Sequence, residues 1–471
     1  MNKRRILSII LTITLLISTV SMLSGCGEKG GKAKEDPAVT GAVDLGGKTI
    51  KILTWGNGLA GITVDPSTDT ELGEIRAERF EEMEKLYNCT FEYELMSAGE
   101  IPSKYTTAAM AGEKIADLIC LRNSSLPALL NNELLLPLDD YFDFSKSQFS
   151  QLAVELSTLD GKVYAFSVEN TNHVENALYF NKRIFDDVGL EYPYQLVKDK
   201  KWTTEVFEEY LKKATVLNND GTVAINGMYG FSYNGDNLPN FISCFGAEFA
   251  KKKGDGSFVS GLNDPEMTTA LEFVRRNMFD NKYIYNVSGN ADWTEGSTMF
   301  KEGKVAMIMS QVTYNGGGYS DMTDPVGILP LPLGPGQKDY AVSEMYENVM
   351  IMPTTTDSKT AQAIANMITY IYAPAYEDEA ENAELLKSNI AGTFSDEESV
   401  EIAYDLITKS GMKVYNHRIV GDETIVRTAM NDSIHGVTTV ASAIGSAASA
   451  WEIVIDNYNS RYGLGDYAKK D

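Results

Sequence analysis

Histidine is scarce: His173, His417 and His435 are the three in a chain of 471 residues. No H-E-x-x-H pair and no G-x-S-x-G occurs, so neither a zinc-protease helix nor a nucleophile elbow is written here. Cysteine is also sparse, with Cys26, Cys89, Cys120 and Cys244 showing no metal-type spacing. Cys89 and Cys120 fall in expected strands, which makes buried thiols the expectation. Positive charge is in deficit, 41 Lys and Arg against 66 Asp and Glu. The resulting net charge of −25 sets aside nucleic acid and anionic membrane surfaces as main partners. With 66 acids, carboxylate pairs must exist somewhere, but no local pattern nominates one as a glycosidase pair.

Long hydrophobic runs are confined to one place. Lys3-Arg4-Arg5 precedes the apolar stretch 6–22, and Leu23-Ser24-Gly25-Cys26 follows it at once. This pattern looks like a lipoprotein signal peptide over residues 1–25, with Cys26 lipidated and tethered to the outer face of the cell membrane. An uncleaved anchor is the competing reading, because the run approaches spanning length. Ser8, Thr12, Thr14 and Ser18 inside it favour the lipobox. Residues 26–47 are Gly- and Lys-rich with little to bury, and read as a flexible tether.

From residue 48 onward strands alternate with helices, which implies an α/β fold, and the length allows two lobes. Thr49–Trp55 is an expected strand, Thr70–Tyr87 a helix with Leu72, Ile75, Phe80, Met83 and Leu86 near one face, and Ala116–Leu121 a further strand. Trp202-Thr203 and Phe207 spell a hydrophobic staple with Thr203 as N-cap, which makes Trp202 structural. Pro265 opens a helix whose Met267, Leu271, Val274 and Met278 share a face. Gly303 fits a helix C-terminus before the strand Val305–Met309, and Trp451 reads as core.

The stretch Leu159–Leu190 organises the rest. Val163–Phe166 and Ala177–Phe180 are two apolar strands joined by a polar span holding Glu169 and Asn170. Two such strands without a helix between them suit a chain crossing from one lobe to another. The motif G-K-x-Y-A followed by A-L-x-F-N-K-x-x-F-x-x-x-G-L resembles the first crossover of extracellular solute-binding proteins, the family of the maltodextrin-binding protein. Further segments match that family in the same order, among them ADLICLRNSSLPALLNNELLLPLDDYFD, LNDPEMTTALEFV, FKEGKVAMIM and DPVGILPLPLGP. The resemblance spans about residues 48–460. It implies a two-lobed type II binding-protein fold, each lobe a mainly parallel sheet flanked by helices. It assigns 48–168 plus 330–350 to the first lobe and 171–328 plus 353–465 to the second, with hinges near 167–175, 329–332 and 348–353. It also implies a carbohydrate held between the lobes and delivered to a membrane ABC permease by a monomeric, non-enzymatic protein without cofactor or metal.

Gly56–Gly61 spells G-x-G-x-x-G after the first strand, but Pro66 keeps Asp65 extended where a dinucleotide site needs a helix. A loop at the cleft rim is the reading kept. Asn218–Gly221 reads as a turn rather than a calcium loop. Ligands of open α/β sheets lie at the carboxyl ends of the strands. Trp55 ends a strand at that edge; together with aromatic and polar residues of the loops after strands, of a polar run and of the lobe crossovers, it gives the expected ligand-binding set: Trp55, Asn57, Arg122, Asn123, Glu169, Asn170, Tyr233, Asp236, Trp293, Gln311, Tyr314, Tyr346, Glu347 and Asn348. Aromatic rings there would stack on pyranose C–H faces while planar polar groups bind hydroxyls. A secreted sugar-processing enzyme with paired acids, and a binding protein for a non-sugar solute, are the alternatives.

Overall fold

A computed structural model describes residues 41–55, 70–159, 161–168, 174–233, 237–287, 294–312, 319–344, 348–408, 413–414 and 420–467. The first sheet is built around Lys48–Thr54, which runs parallel to Cys89–Leu95 from Lys48↔Cys89 to Thr54↔Leu95. On its other side lies Leu118–Arg122, parallel with Leu53 opposite Ile119. Asn348–Ile351 closes that edge antiparallel, with Asn348 opposite Arg122.

Parallel neighbours need a crossover, and the helix Glu71–Tyr87 supplies the first. Thr70 starts it by accepting the Gly73 amide at 3.1 Å, and Asn88 ends it in the left-handed region at φ 49°. Its buried residues are Phe80, Met83 and Tyr87, while Leu86 points outward at 38% exposure. The apolar face is thus rotated slightly from the one the sequence suggests. Alternation along the strands covers both faces of the sheet. Ile50, Ile52 and Met350 meet Phe80 and Met83 on one side; Leu53, Ile119, Val349 and Ile351 meet Tyr105 and Leu129 on the other.

The second sheet is centred on Val174–Asn181. Met307–Val312 lies on one side, with Met307 opposite Phe180, and Val326–Leu329 on the other, with Leu329 opposite Leu178. Both pairings are antiparallel. Parallel bridges Asn226↔Val305 and Met228↔Ile284 extend this sheet outward. The parallel character therefore holds for the flanking segments, and the central strand runs against them. A chain arriving from the other lobe enters at the end towards which the helix-fed strands run, which fixes that direction. The two cores are separate, one gathered on Ile52 and Phe166, the other on Phe180, Phe207 and Phe241.

The lobe assignments of two segments differ from the expectation. Leu331 and Leu333 belong to the second core, not the first. Trp202 holds this segment: its Nε1–H donates to the Pro330 carbonyl at 3.1 Å, and its carbonyl accepts the Leu333 amide at 2.8 Å. The helix Ser358–Ile371 packs into the first core with Met350 and Tyr87, not into the second lobe. The chain accordingly passes between lobes after Val168, again between Glu344 and Asn348, and a third time after Tyr372. The hinge expected near 329–332 is instead fastened to the second lobe, with Leu333 bridging Thr203, so no crossing occurs there.

Local signals translate directly elsewhere. The Trp202 ring meets Phe207 at 5.7 Å, and Thr203 accepts the Val206 amide at 3.4 Å, forming the staple and its cap. Met267, Leu271, Val274 and Met278 are all fully buried. Trp451 is core, its Nε1–H donating to the Phe249 carbonyl at 2.7 Å. Cys89, Cys120 and Cys244 are buried thiols.

Candidate ligand-binding cleft

Parallel pairing of Lys48–Thr54 with Leu118–Arg122 delivers Trp55 and Arg122 to the same carboxyl edge of the first sheet. Antiparallel pairing brings the beginning of the next strand, Asn348, to that edge as well. The Arg122 guanidinium carbon lies 5.3 Å from the centroid of the Trp55 ring, a cation–π arrangement. Arg122 is exposed and Trp55 half-buried, so both can face a ligand while the indole stays anchored beside Leu53 and Leu121. Asn123 is buried and opens the short turn Asn123–Ser125 that leads into the helix Leu126–Asn131.

Two polar atoms at this edge have no hydrogen-bond partner although they are buried: Nε1 of Trp55 and Oδ1 of Asn348. Leaving a buried polar atom unpaired costs about 1–3 kcal/mol. One is a donor and the other an acceptor, and a hydroxyl can serve either. Both lie at the same sheet edge, on strand ends separated by the Leu118–Arg122 strand.

In the second lobe, Tyr233 follows the segment that bridges at Asn226 and Met228. Its hydroxyl donates to Asp432 Oδ1 at 2.7 Å, and its ring lies 4.8 Å from the imidazole of His435. Burial, and then the bond to the Asp432 carboxylate, push the Tyr233 phenol well above its ordinary range. His435 is held by the carbonyls of Asn431, 2.8 Å from Nδ1, and Val287, 3.1 Å from Nε2. Nearby in the fold, Tyr229 donates to Glu295 Oε2 at 3.0 Å and stacks on Tyr285. Gln311 is exposed near the end of Met307–Val312, and its carbonyl accepts the Tyr179 hydroxyl at 2.9 Å.

Of the expected site residues, the structure gathers Trp55, Arg122 and Asn348, with Asn123 in the adjoining turn. Gln311 sits near the end of a second-sheet strand, and Tyr233 lies in the irregular stretch after the bridge at Met228. Asn57, Glu169, Asn170, Asp236, Trp293, Tyr314, Tyr346, Glu347 and Cys26 lie outside the described residues. Asp432 and His435 were not anticipated, because 199 residues separate Tyr233 from its carboxylate partner and no local pattern links them. Among the described residues no cluster of three or more His, Cys, Asp or Glu is placed to hold a metal. None of the described helices is long and apolar enough to cross a membrane.

Solved structures share this architecture. An ABC substrate-binding protein from Listeria monocytogenes, in complex with cycloalternan, superposes with a TM-score of 0.58 at 17% identity, covering 89% of this chain and 100% of that one. The cyclic alpha-maltosyl-1,6-maltose binding protein of Arthrobacter globiformis gives 0.60 at 15% identity, covering 88% and 100%. UgpB of Mycobacterium tuberculosis, in complex with glycerophosphocholine, gives 0.60 at 13% identity, covering 86% and 98%. No curated protein matches the chain. Residues 67–374, which run from before the first helix to just past the helix Ser358–Ile371, match the family described as bacterial extracellular solute-binding protein, and to that family this chain belongs.

Proposed function

We propose that this protein captures a carbohydrate between its two lobes and passes it to a membrane ABC permease. The observation that carries this reading is the carboxyl edge of the first sheet. There a half-buried indole carries an unpaired donor, an asparagine two strands away carries an unpaired acceptor, and an arginine on the strand between them lies across the ring. A pyranose offers an apolar C–H face to the ring and hydroxyls to the polar atoms. The Listeria protein in complex with cycloalternan and the Arthrobacter cyclic alpha-maltosyl-1,6-maltose binding protein support a sugar as the ligand class. Hinge closure of the lobes would make contacts to both sheets available only in the closed state. Lipidation at Cys26 would keep the protein at the outer face of the membrane, as a monomer beside its permease.

A thermal-shift panel tests the ligand class. Mono- and oligosaccharides should raise the melting temperature, and glycerophosphocholine should not. A shift with glycerophosphocholine alone would replace the carbohydrate reading with that of a polar, non-sugar solute.

A further inference from the structure

The lobes also meet through a second contact, made by elements outside the two sheets. From the first lobe come the helix Gln151–Leu156 and the residues after it; from the second comes the hairpin of Ala250–Lys252 and Phe258–Ser260. Lys252 forms an ion pair with Glu155 across this boundary. The hairpin is stiff. Asp255 Oδ1 accepts both the Ser257 amide, at 3.0 Å, and its hydroxyl, at 2.6 Å. Gly256 takes φ +82° at the tip, a conformation other residues adopt with strain. The buried Asn459 side chain then clasps Phe258, accepting its amide at 2.9 Å and donating to its carbonyl at 2.8 Å. Hairpin and the helix Val440–Arg461 thus move as one body.

What this body rests on is incompletely packed. A cavity of about 190 Å³ remains between the lobes, lined on one side by Asn123, Leu126 and Ser157 and on the other by Phe258, Tyr458 and Tyr462. The Ser157 hydroxyl beside it is buried without a hydrogen-bond partner. Permanent interiors leave few voids larger than a water molecule and few unpaired polar groups. An interface with both, joined by a partly exposed ion pair, holds weakly and can part reversibly. Its first-lobe wall begins at Asn123, next to Arg122 in the chain, so it shares a turn with the ligand edge.

We propose that the Glu155–Lys252 contact and the loosely packed interface around it form a reversible stop that sets the separation of the lobes and thereby the affinity for ligand. A contact made in one lobe arrangement and lost in another changes apparent affinity by as much as it biases those populations. The affinity half of this inference rests on the between-lobe carbohydrate reading; the lobe-separation half does not.

Charge reversal tests it. Glu155→Lys and Lys252→Glu each set like charges against one another, and the double swap restores an opposite pair. Lobe separation is read in the Cys26→Ser chain by electron–electron resonance between spin labels at Met110→Cys and Leu217→Cys. Both positions are exposed, one in each lobe. Affinity is read by calorimetry with maltotriose and mannotriose as probes. Each single reversal should shift the label distance distribution without ligand and change the apparent Kd at least threefold in the same direction, and the swap should return both towards wild type. Unchanged distances in the single variants, or shifts that the swap does not reverse, would overturn the stop. Distances that respond while neither sugar binds any variant would uphold the stop and overturn the carbohydrate reading instead.

Discussion

Arg122 lies across the indole of Trp55, its guanidinium carbon 5.3 Å from the ring centroid. Trp55 packs on the core that holds Leu53 and Leu121, while Arg122 is exposed at the end of its strand. The pair is a ledge, with an apolar ring held in place and a charge beside it, at the edge where ligands of such sheets lie.

Truncating the ring separates binding from folding. Trp55→Ala should weaken carbohydrate binding at least tenfold, about 1.4 kcal/mol. Its cost in stability should be well below that of Trp202→Ala, which removes a fully buried ring and should cost ~3–5 kcal/mol while leaving affinity near normal. Calorimetry on both variants, with denaturant melts alongside, checks the contrast. Equal losses of stability would return Trp55 to a purely structural role.

Asn348 offers a test in the opposite direction. Its Oδ1 is buried and unpaired, so Asn348→Leu removes an acceptor that costs the unliganded protein stability. The variant should melt no lower than wild type, and higher if the leucine fits, yet bind sugar several-fold more weakly. A lower melting temperature with unchanged affinity would contradict the assignment of this atom to ligand.

How much of this was legible in the chain varies with the range of the signal. The staple of Trp202 and Phe207, the cap at Thr70 and the proline that opens Pro265–Arg275 are decided within a few residues, and each is found where its motif stands. Trp55, Arg122 and Asn348 were legible as strand ends, since the carboxyl edge of a parallel sheet follows from strand order. Which core an amphipathic helix joins is not a local property: Ser358–Ile371 has an apolar face that would suit either lobe. The Asp432 carboxylate that meets Tyr233 comes from the far end of the chain, so neither residue announces the other.

Acid should loosen the first lobe at an identifiable cap. The Asp357 carboxylate accepts the hydroxyl and amide of Thr360 and pairs with Lys48, contacts that in that order hold its pKa well below the usual range. A group depressed in the folded state adds stability that is present above its unfolded pKa and is lost as pH falls towards the folded one. Wild type should therefore lose this contribution as pH drops below ~4. Asp357→Asn keeps a capping oxygen but removes the titrating charge, so it should flatten that part of the pH profile, while Asp357→Ala should cost about 1 kcal/mol at neutral pH, as lost caps do. Denaturant midpoints between neutral pH and pH 3 decide it; parallel profiles for wild type and Asp357→Asn would remove the cap from the account.

The anchor is tested by fractionation. Cys26→Ser should leave the fold and the sugar response intact but release the protein from the membrane after processing, because firm attachment needs more than one acyl chain on the cysteine. Membrane retention of the processed serine variant would refute lipidation at this residue.

The central claim is that an intact carbohydrate is the ligand and that the lobes close on it. Calorimetric titration with oligosaccharides that shift the melting temperature, followed by chromatography of the recovered sugar and solution scattering of the saturated protein, tests it most directly. The account predicts one site per chain, sugar recovered unchanged, and a smaller radius of gyration at saturation. Cleaved sugar, or saturation with no change in radius from an initially open sample, would contradict it.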